Sequence, residues 1–312
     1  MISKNTVIVL GAGASNTVNF PTNPQLVDRI CETFKQTNGH YQTARDAGFD
    51  EGLIENFRKS LFESQQPSID SYLNLQRGYL DIGRFAVATE ILSWENHDSL
   101  MNVGRTKWYR KFVHALGTAP ADAQVSAQKL SIINFNYDRS LEHFTHTALH
   151  HSANPGHQVY VTTALQNLKF RHIHGNVGIL PWRDNASRPY GYKYNGRQIL
   201  DVSKNILLAH ELQKSQFAPF PDAPTELIAN AEQVFFFGFA FHRENQATLG
   251  LHLDADRSGT QFFASDKGLS ENLKRSLHDR FKMKFFPSID DAIPELSNFS
   301  PQERKIPVRV TS

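Results

Sequence analysis

The chain has one cysteine in 312 residues. A single thiol closes no internal disulfide and cannot build a four-cysteine zinc module. Cys31 lies in LVDRICETF, on the apolar side of an expected helix, where a free cysteine behaves as a small hydrophobe. An excess of one charge is also missing, since 33 Lys and Arg stand against 31 Asp and Glu, a net of +2. No polyelectrolyte field follows, so direct nucleic-acid binding would need a local basic patch, and none stands out. No apolar run approaches the ~18 residues of a membrane span. The opening residues, MISKNTVIVLGAGAS, run into a strand rather than an apolar leader with a small-residue cleavage site. The expectation is a cytoplasmic protein with no membrane partner.

What is present is a globular composition, 40% hydrophobic and 21% charged, in a chain long enough for a substantial core. TVIVL at 6–10 reads as a buried strand that runs into Gly-Ala-Gly. Asn23 followed by Pro24 reads as an N-cap with proline at the first helical position, and Leu26, Val27, Ile30 and Phe34 follow at helical spacing. From 49 to 117 the apolar periodicity is helical throughout, which predicts a helical insertion. Strands resume at 130–135 (LSIINF), 169–174 (KFRHIH), 234–237 (VFFF), 261–264 (QFFA) and 284–286 (KFF). The region from 182 to 197 reads as a long polar loop, and 300–312 as a loose tail. Short apolar strands alternating with helices predict an α/β fold with a mostly parallel sheet covered on both faces. Its core comprises 1–48 and 118–299.

Three short motifs carry the chemistry. In GAGAS (11–15) the glycines let backbone approach a phosphate, which amide N–H groups and a helix N-terminus can face. A dinucleotide fingerprint has three glycines, and Asn16 stands in the third place, which points away from an ordinary dehydrogenase. A plain strand-to-helix turn would read the same way. NFNYD (134–138) closes a strand whose carboxyl end should face the cleft. Asn136 both donates and accepts, so it suits a carboxamide or a water, and Asp138 can accept an amide N–H. The same pair would also serve as a helix cap. HIHG (172–175) ends another strand; alternation puts Phe170, His172 and His174 on one face and Arg171 and Ile173 on the other. Imidazole exchanges protons near neutral pH, and His174, followed by glycine, is the candidate catalytic group ahead of His172.

In this order the motifs resemble the sirtuin family, whose NAD-binding core carries GAG-x-S, an Asn-x-Asp pair and a catalytic His-Gly. The later GFAF, with Gly238 closing a strand, is similar to the family's glycine loop beside the adenosine ribose, and Ser265 would lie near the adenine. The resemblance implies a Rossmann-like sheet and NAD as substrate. His174 would be the general base, Asn136 would position water or ribose, and Asp138 would hold the nicotinamide amide. Gly11, Ala12, Gly13, Ser15, Asn23, Gly238, Phe239 and Ser265 would contact NAD. Two departures narrow the branch. Deacetylating members carry a four-cysteine zinc ribbon, which one cysteine cannot supply, and their Gly-Ile-Pro-Asp-Phe-Arg segment is replaced here by NFPTNP at 19–24. Zinc-free relatives with a helical insertion resemble prokaryotic sirtuin-like NAD glycohydrolases, which deplete NAD in antiphage defence. That likeness implies a homo-oligomer controlled by a separately encoded ATPase or nucleic-acid-guided partner. A zinc-free deacylase or ADP-ribosyltransferase, and a non-catalytic NAD- or ADP-ribose-binding subunit, are the alternatives.

Three further features have plainer readings. His143, His146 and His150 share a helix face and can bind metal, yet a solvated or partner-facing surface explains them. Asp70 and the basic run RTKWYRK at 105–111 read as helix-surface charges, the latter also as a dock for an acidic partner.

Overall fold

A computed structural model describes residues 1–102, 104, 106–117, 119–184, 188–207, 211, 223–252 and 259–297. The 300–312 tail lies outside the described residues. Six strands, β1 (Thr6–Leu10), β2 (Leu130–Asn134), β3 (Lys169–His172), β4 (Gln233–Phe237), β5 (Gln261–Ser265) and β6 (Lys284–Phe286), form one sheet. Their order is β3-β2-β1-β4-β5-β6, and every pairing is parallel. The fold is α/β and Rossmann-like, with the order reversing between β1 and β4, where open sheets of this kind bind ligands. Every residue of β1 and β4 is buried, as expected for β-branched and aromatic runs covered on both sides.

Between β1 and β2 run α1 (Ala12–Asn16), α2 (Asn23–Thr33), α3 (Gly39–Ala47), α4 (Glu51–Ser64), α5 (Ile69–Leu75), α6 (Leu80–Trp94), α7 (His97–Leu100), α8 (Lys107–Leu116) and α9 (Pro120–Lys129). No strand interrupts the described residues of this segment. Local chemistry sets its boundaries. Asp50 and Ser68 accept from Leu53 N and Ser71 N to start α4 and α5, and Gly48 closes α3 at φ 103°. The cap of α2 is Thr22 rather than Asn23: Gln25 Oε1 accepts from Thr22 N at 2.8 Å, and Asn23 is already the first helical residue. Helix α6 is buried on almost every side, so it forms the axis of the helical segment.

Beyond β2 come α10 (Ser140–Ser152) and α11 (Gln158–Gln166); α12 (Gly196–Ser203) and α13 (Pro224–Ala229) follow β3. The chain closes with α14 (Arg243–Thr248), α15 (Glu271–Phe281) and α16 (Ile289–Ala292), each after one of the last three strands. One sheet face, with Ile8, Leu10, Ile132 and Phe235, shares a continuous core with the helical segment through residues such as Phe34, Phe85 and Phe112. The insertion is therefore built onto the sheet and has no separate core. The opposite face, with Val9, Ile133, Val234 and Phe236, packs against Ile228 of α13 and Leu277 of α15. Cys31 is buried in the first core, where loss of solvent pushes its thiol up to about 11, as suits a packing role.

Candidate functional site

The parallel register brings the motifs to one level. Leu10 pairs with Asn134 and Phe237, and Asn134 with His172, so GAGAS, NFNYD, HIHG and GFAF all leave the sheet at its carboxyl edge.

The glycines have a specific backbone cause. Gly11 N donates to Phe237 O and Gly13 N to Gly238 O, each at 3.0 Å. A Cβ at Gly11 would lie 2.5 Å from Gly238 O, and one at Gly238 would lie 2.0 Å from Ala14 N. Two turns cross main chain to main chain, and only glycine permits that approach. Two amides expected to face a phosphate are thus spent on β4, and the five-residue α1 follows at once. Ser265 Oγ accepts from Gly238 N at 2.9 Å and braces the crossing from β5. Phe239 is buried among Phe135, Phe236 and Phe241, so its ring is core. Asn23 is half-buried at the start of α2, at the end of a loop tied by Asn16 Nδ2 to Phe20 O.

Asn136 is the tether between strands. Its Nδ2 donates to Gly11 O and to Ser15 Oγ, both at 3.0 Å, and its own N–H is taken by Asn134 Oδ1. Asp138 accepts the backbone N–H and the hydroxyl of Ser140 through Oδ1, starting α10 as a cap would. Since Ser140 gives its proton to Asp138, Tyr109 of α8 donates its own to Ser140 Oγ at 2.7 Å. Burial first, then the Asp138 charge, drives the Tyr109 phenol well above its ordinary range. Trp108 Nε1 donates to Thr17 Oγ1 at 2.9 Å, so α8 also grips the segment that follows α1.

The two histidines differ sharply. β3 ends at His172, so strand alternation stops there and His174 sits in the turn beyond. His172 has both ring nitrogens occupied: Nδ1 lies 3.0 Å from Asn136 O and Nε2 2.8 Å from Glu142 Oε2. Burial alone would raise Glu142, but Arg183, 2.9 Å from its Oε1, and His172 outweigh that and hold its carboxyl below the usual range. His174 is buried with its ring against Phe135 and Tyr137, and its Nδ1 has no hydrogen-bond partner among the described residues. An orphaned polar atom in a core marks a place where a ligand or water belongs. Gly175 at φ 69° makes the turn, because a Cβ there would lie 1.7 Å from Asn205 O.

Residues outside the motifs complete the surroundings. Tyr137 donates its hydroxyl to Asp70 Oδ1 at 2.9 Å, so Asp70 is a buried-side acceptor rather than a free surface charge. Arg139 and Glu95 form a bidentate buried pair, at 2.9 and 2.6 Å, and Arg139 Nη1 also holds Arg188 O at 2.7 Å, clamping the loop after β3. That loop roofs the histidine stripe. His143 stacks on Tyr190 with ring centroids 4.3 Å apart and His146 on Trp182 at 4.7 Å, so the stripe is covered and not an open surface. No three metal-ligating side chains converge among the described residues.

No protein-family model matches this chain, and no curated protein matches it. No helix among the described residues is long and apolar enough to cross a membrane.

Proposed function

We propose that the protein is an NAD+ glycohydrolase that cleaves the nicotinamide–ribose bond to give nicotinamide and ADP-ribose. The observation that carries this reading is the buried His174 with a free Nδ1, on the same carboxyl edge of the sheet as the glycine crossing between β1 and β4. In the reaction a water attacks the ribose C1′, the C1′–N bond electrons leave with the nicotinamide, and His174 takes the water's proton. The pyridinium is a good leaving group, so the enzyme must mainly orient it, exclude bulk water and present one nucleophile. Asn136 has committed both donor protons to the GAG turn, so its contribution to the water or ribose would come through Oδ1. Asp138 would hold the nicotinamide amide through Oδ2, because Oδ1 is occupied by Ser140. The sirtuin likeness further supports NAD depletion in antiphage defence by a cytoplasmic homo-oligomer under a separately encoded partner.

A second reading, a non-catalytic NAD- or ADP-ribose-binding subunit, is favoured by one fact: Asp138 is engaged in a scaffold bond with Ser140. Incubation with NAD+ separates the two. Release of nicotinamide with free ADP-ribose, reduced on the order of 10²–10⁴-fold by His174→Ala, is the expected result. Acyl-ADP-ribose formed with an acyl-lysine peptide would assign deacylation instead. Saturable NAD binding without turnover, alone and with a partner, would overturn the hydrolase.

A further inference from the structure

Helix α8 is sharply two-sided. Its inner face is fully buried and carries Trp108 and Tyr109, which reach Thr17 and Ser140. Its outer face presents Lys107, Arg110, Lys111 and His114, all exposed, and these line an open groove of about 540 Å³ closed on one side by Asp290 of α16. The volume is in the range of small-ligand sites.

The charges in this groove are not mutually satisfied. Lys111 Nζ lies 3.0 Å from Asp290 Oδ1 and 3.0 Å from Asp290 O, which fixes one ammonium at the groove wall. Lys107 and Arg110 form no ion pair among the described residues, and His114 adds a third donor one turn beyond them. In a chain with a net charge of only +2, two cations on one helix face without carboxylate partners, Lys107 and Arg110, are a local excess. Their spacing limits the ligand. Lys107 to His114 covers about 10 Å of helix axis at 1.5 Å per residue, the reach of a short phosphate chain and not of an extended strand. A fork-shaped guanidinium beside a point-charge ammonium is a phosphate-binding combination.

We propose that the α8 groove is a binding site for a small polyphosphate anion, the size of a nucleoside di- or triphosphate. It stands on the outer face of α8, on the opposite side of the helix from the contacts to the GAG turn, and does not depend on the NAD reading. Because Trp108 and Tyr109 lie on the same two and a half turns, the groove is one helix thickness from Ser140 and the segment after α1.

Titration calorimetry of the full chain tests this. Inorganic tripolyphosphate is the first probe, ATP and ADP the second, adenosine the control, and a single-stranded 20-mer the competitor. The expected result is saturable one-to-one binding of tripolyphosphate and of the nucleotides, none of adenosine. Affinity should fall with added salt. Lys107→Ala with Arg110→Ala should weaken binding at least about tenfold, given the worth of two charged hydrogen bonds. Lys107→Arg with Arg110→Lys should keep it, and the exposed positions leave the thermal midpoint unchanged. Equal affinity in the double alanine variant, no saturation with tripolyphosphate, or preferential binding of the oligonucleotide would each overturn the assignment. His174→Ala should leave tripolyphosphate affinity intact, so a failure here and a failure of the hydrolase reading are told apart.

Discussion

Tyr137 and Asp70 lie 67 positions apart in sequence, yet the tyrosine hydroxyl donates to Asp70 Oδ1 at 2.9 Å. The bond joins the segment after β2 to α5, and the Tyr137 ring lies 6.1 Å from that of His174. The helical insertion thus fixes one wall of the packing around the candidate base. Burial, followed by the Asp70 charge, drives the phenol far above its ordinary range, so Tyr137 stays a neutral donor at every working pH.

Removing that donor should loosen the wall without unfolding it. Tyr137→Phe is expected to cost about 1–2 kcal/mol in urea unfolding, the scale of a hydrogen bond to a charged acceptor. NAD cleavage should fall by a larger factor than stability implies, with the change in kcat. Asp70→Asn should reproduce most of the effect, and the double variant should be non-additive because the residues touch. Simple additivity would show that the bond does not act as a unit.

Asn136 is expected to matter through the turn it holds. Asn136→Ala strands Gly11 O and Ser15 Oγ in a buried setting, a loss of about 2–3 kcal/mol measured by denaturant midpoint. Asn136→Asp exchanges two donated protons for an acceptor facing a carbonyl oxygen and should be worse still. An aspartate variant as stable as the parent would remove the tether from the account.

The sheet, its parallel sense and the helical character of 49–117 follow from patterning that the sequence displays openly. VFFF and TVIVL can scarcely be anything but buried strands, and the apolar rhythm of α6 continues at helical spacing on both sides of Gly83. The site was legible only as far as strand ends. That Asn136, Asp138 and His174 come to one edge follows from their positions after strands; the bonding of each does not. The Asp138 bond just before α10 and the Asn136 tether depend on Ser140 and Ser15, whose roles are set by the final packing. His172 and His174 look alike in HIHG, and only tertiary partners, Asn136 O and Glu142, separate the bound imidazole from the one with an unpartnered Nδ1. Asp70, Tyr109 and Glu95 carry no local motif, because their partners are tertiary.

Glycine positions should respond very differently to alanine. Gly238→Ala forces a side chain into Ala14 N at φ 57°, and a loss of about 3 kcal/mol or more, or failure to fold, is expected. Gly39→Ala, in the first turn of α3 with nothing within 4 Å, should be neutral or stabilising by up to about 1 kcal/mol. Thermal midpoints of the pair measure how tightly the β1 and β4 loops are crossed. Comparable midpoints would mean that the crossing can relax.

Acid should weaken the roof over α10 before it reaches the sheet. Burial, helped by the neighbouring His97 for His143 and His150 for His146, lowers both imidazoles to about 4, against about 6.5 in an unfolded chain. Between those values the unfolded chain binds protons that the folded chain refuses, so stability is complete above about pH 6.5 and declines as pH falls toward 4. Glu142, whose carboxyl is held below its usual range by Arg183 and His172, adds a loss of the same sign at the acid end. Discounted for partial solvent contact, the two histidines together contribute on the order of 3 kcal/mol. Urea midpoints at pH 7.5, 6.0 and 4.5 should trace this decline. His143→Phe with His146→Phe keeps the stacking on Tyr190 and Trp182 while removing the titration, so the decline should become markedly shallower. An unchanged slope in the double variant would transfer the acid sensitivity to the carboxylates alone.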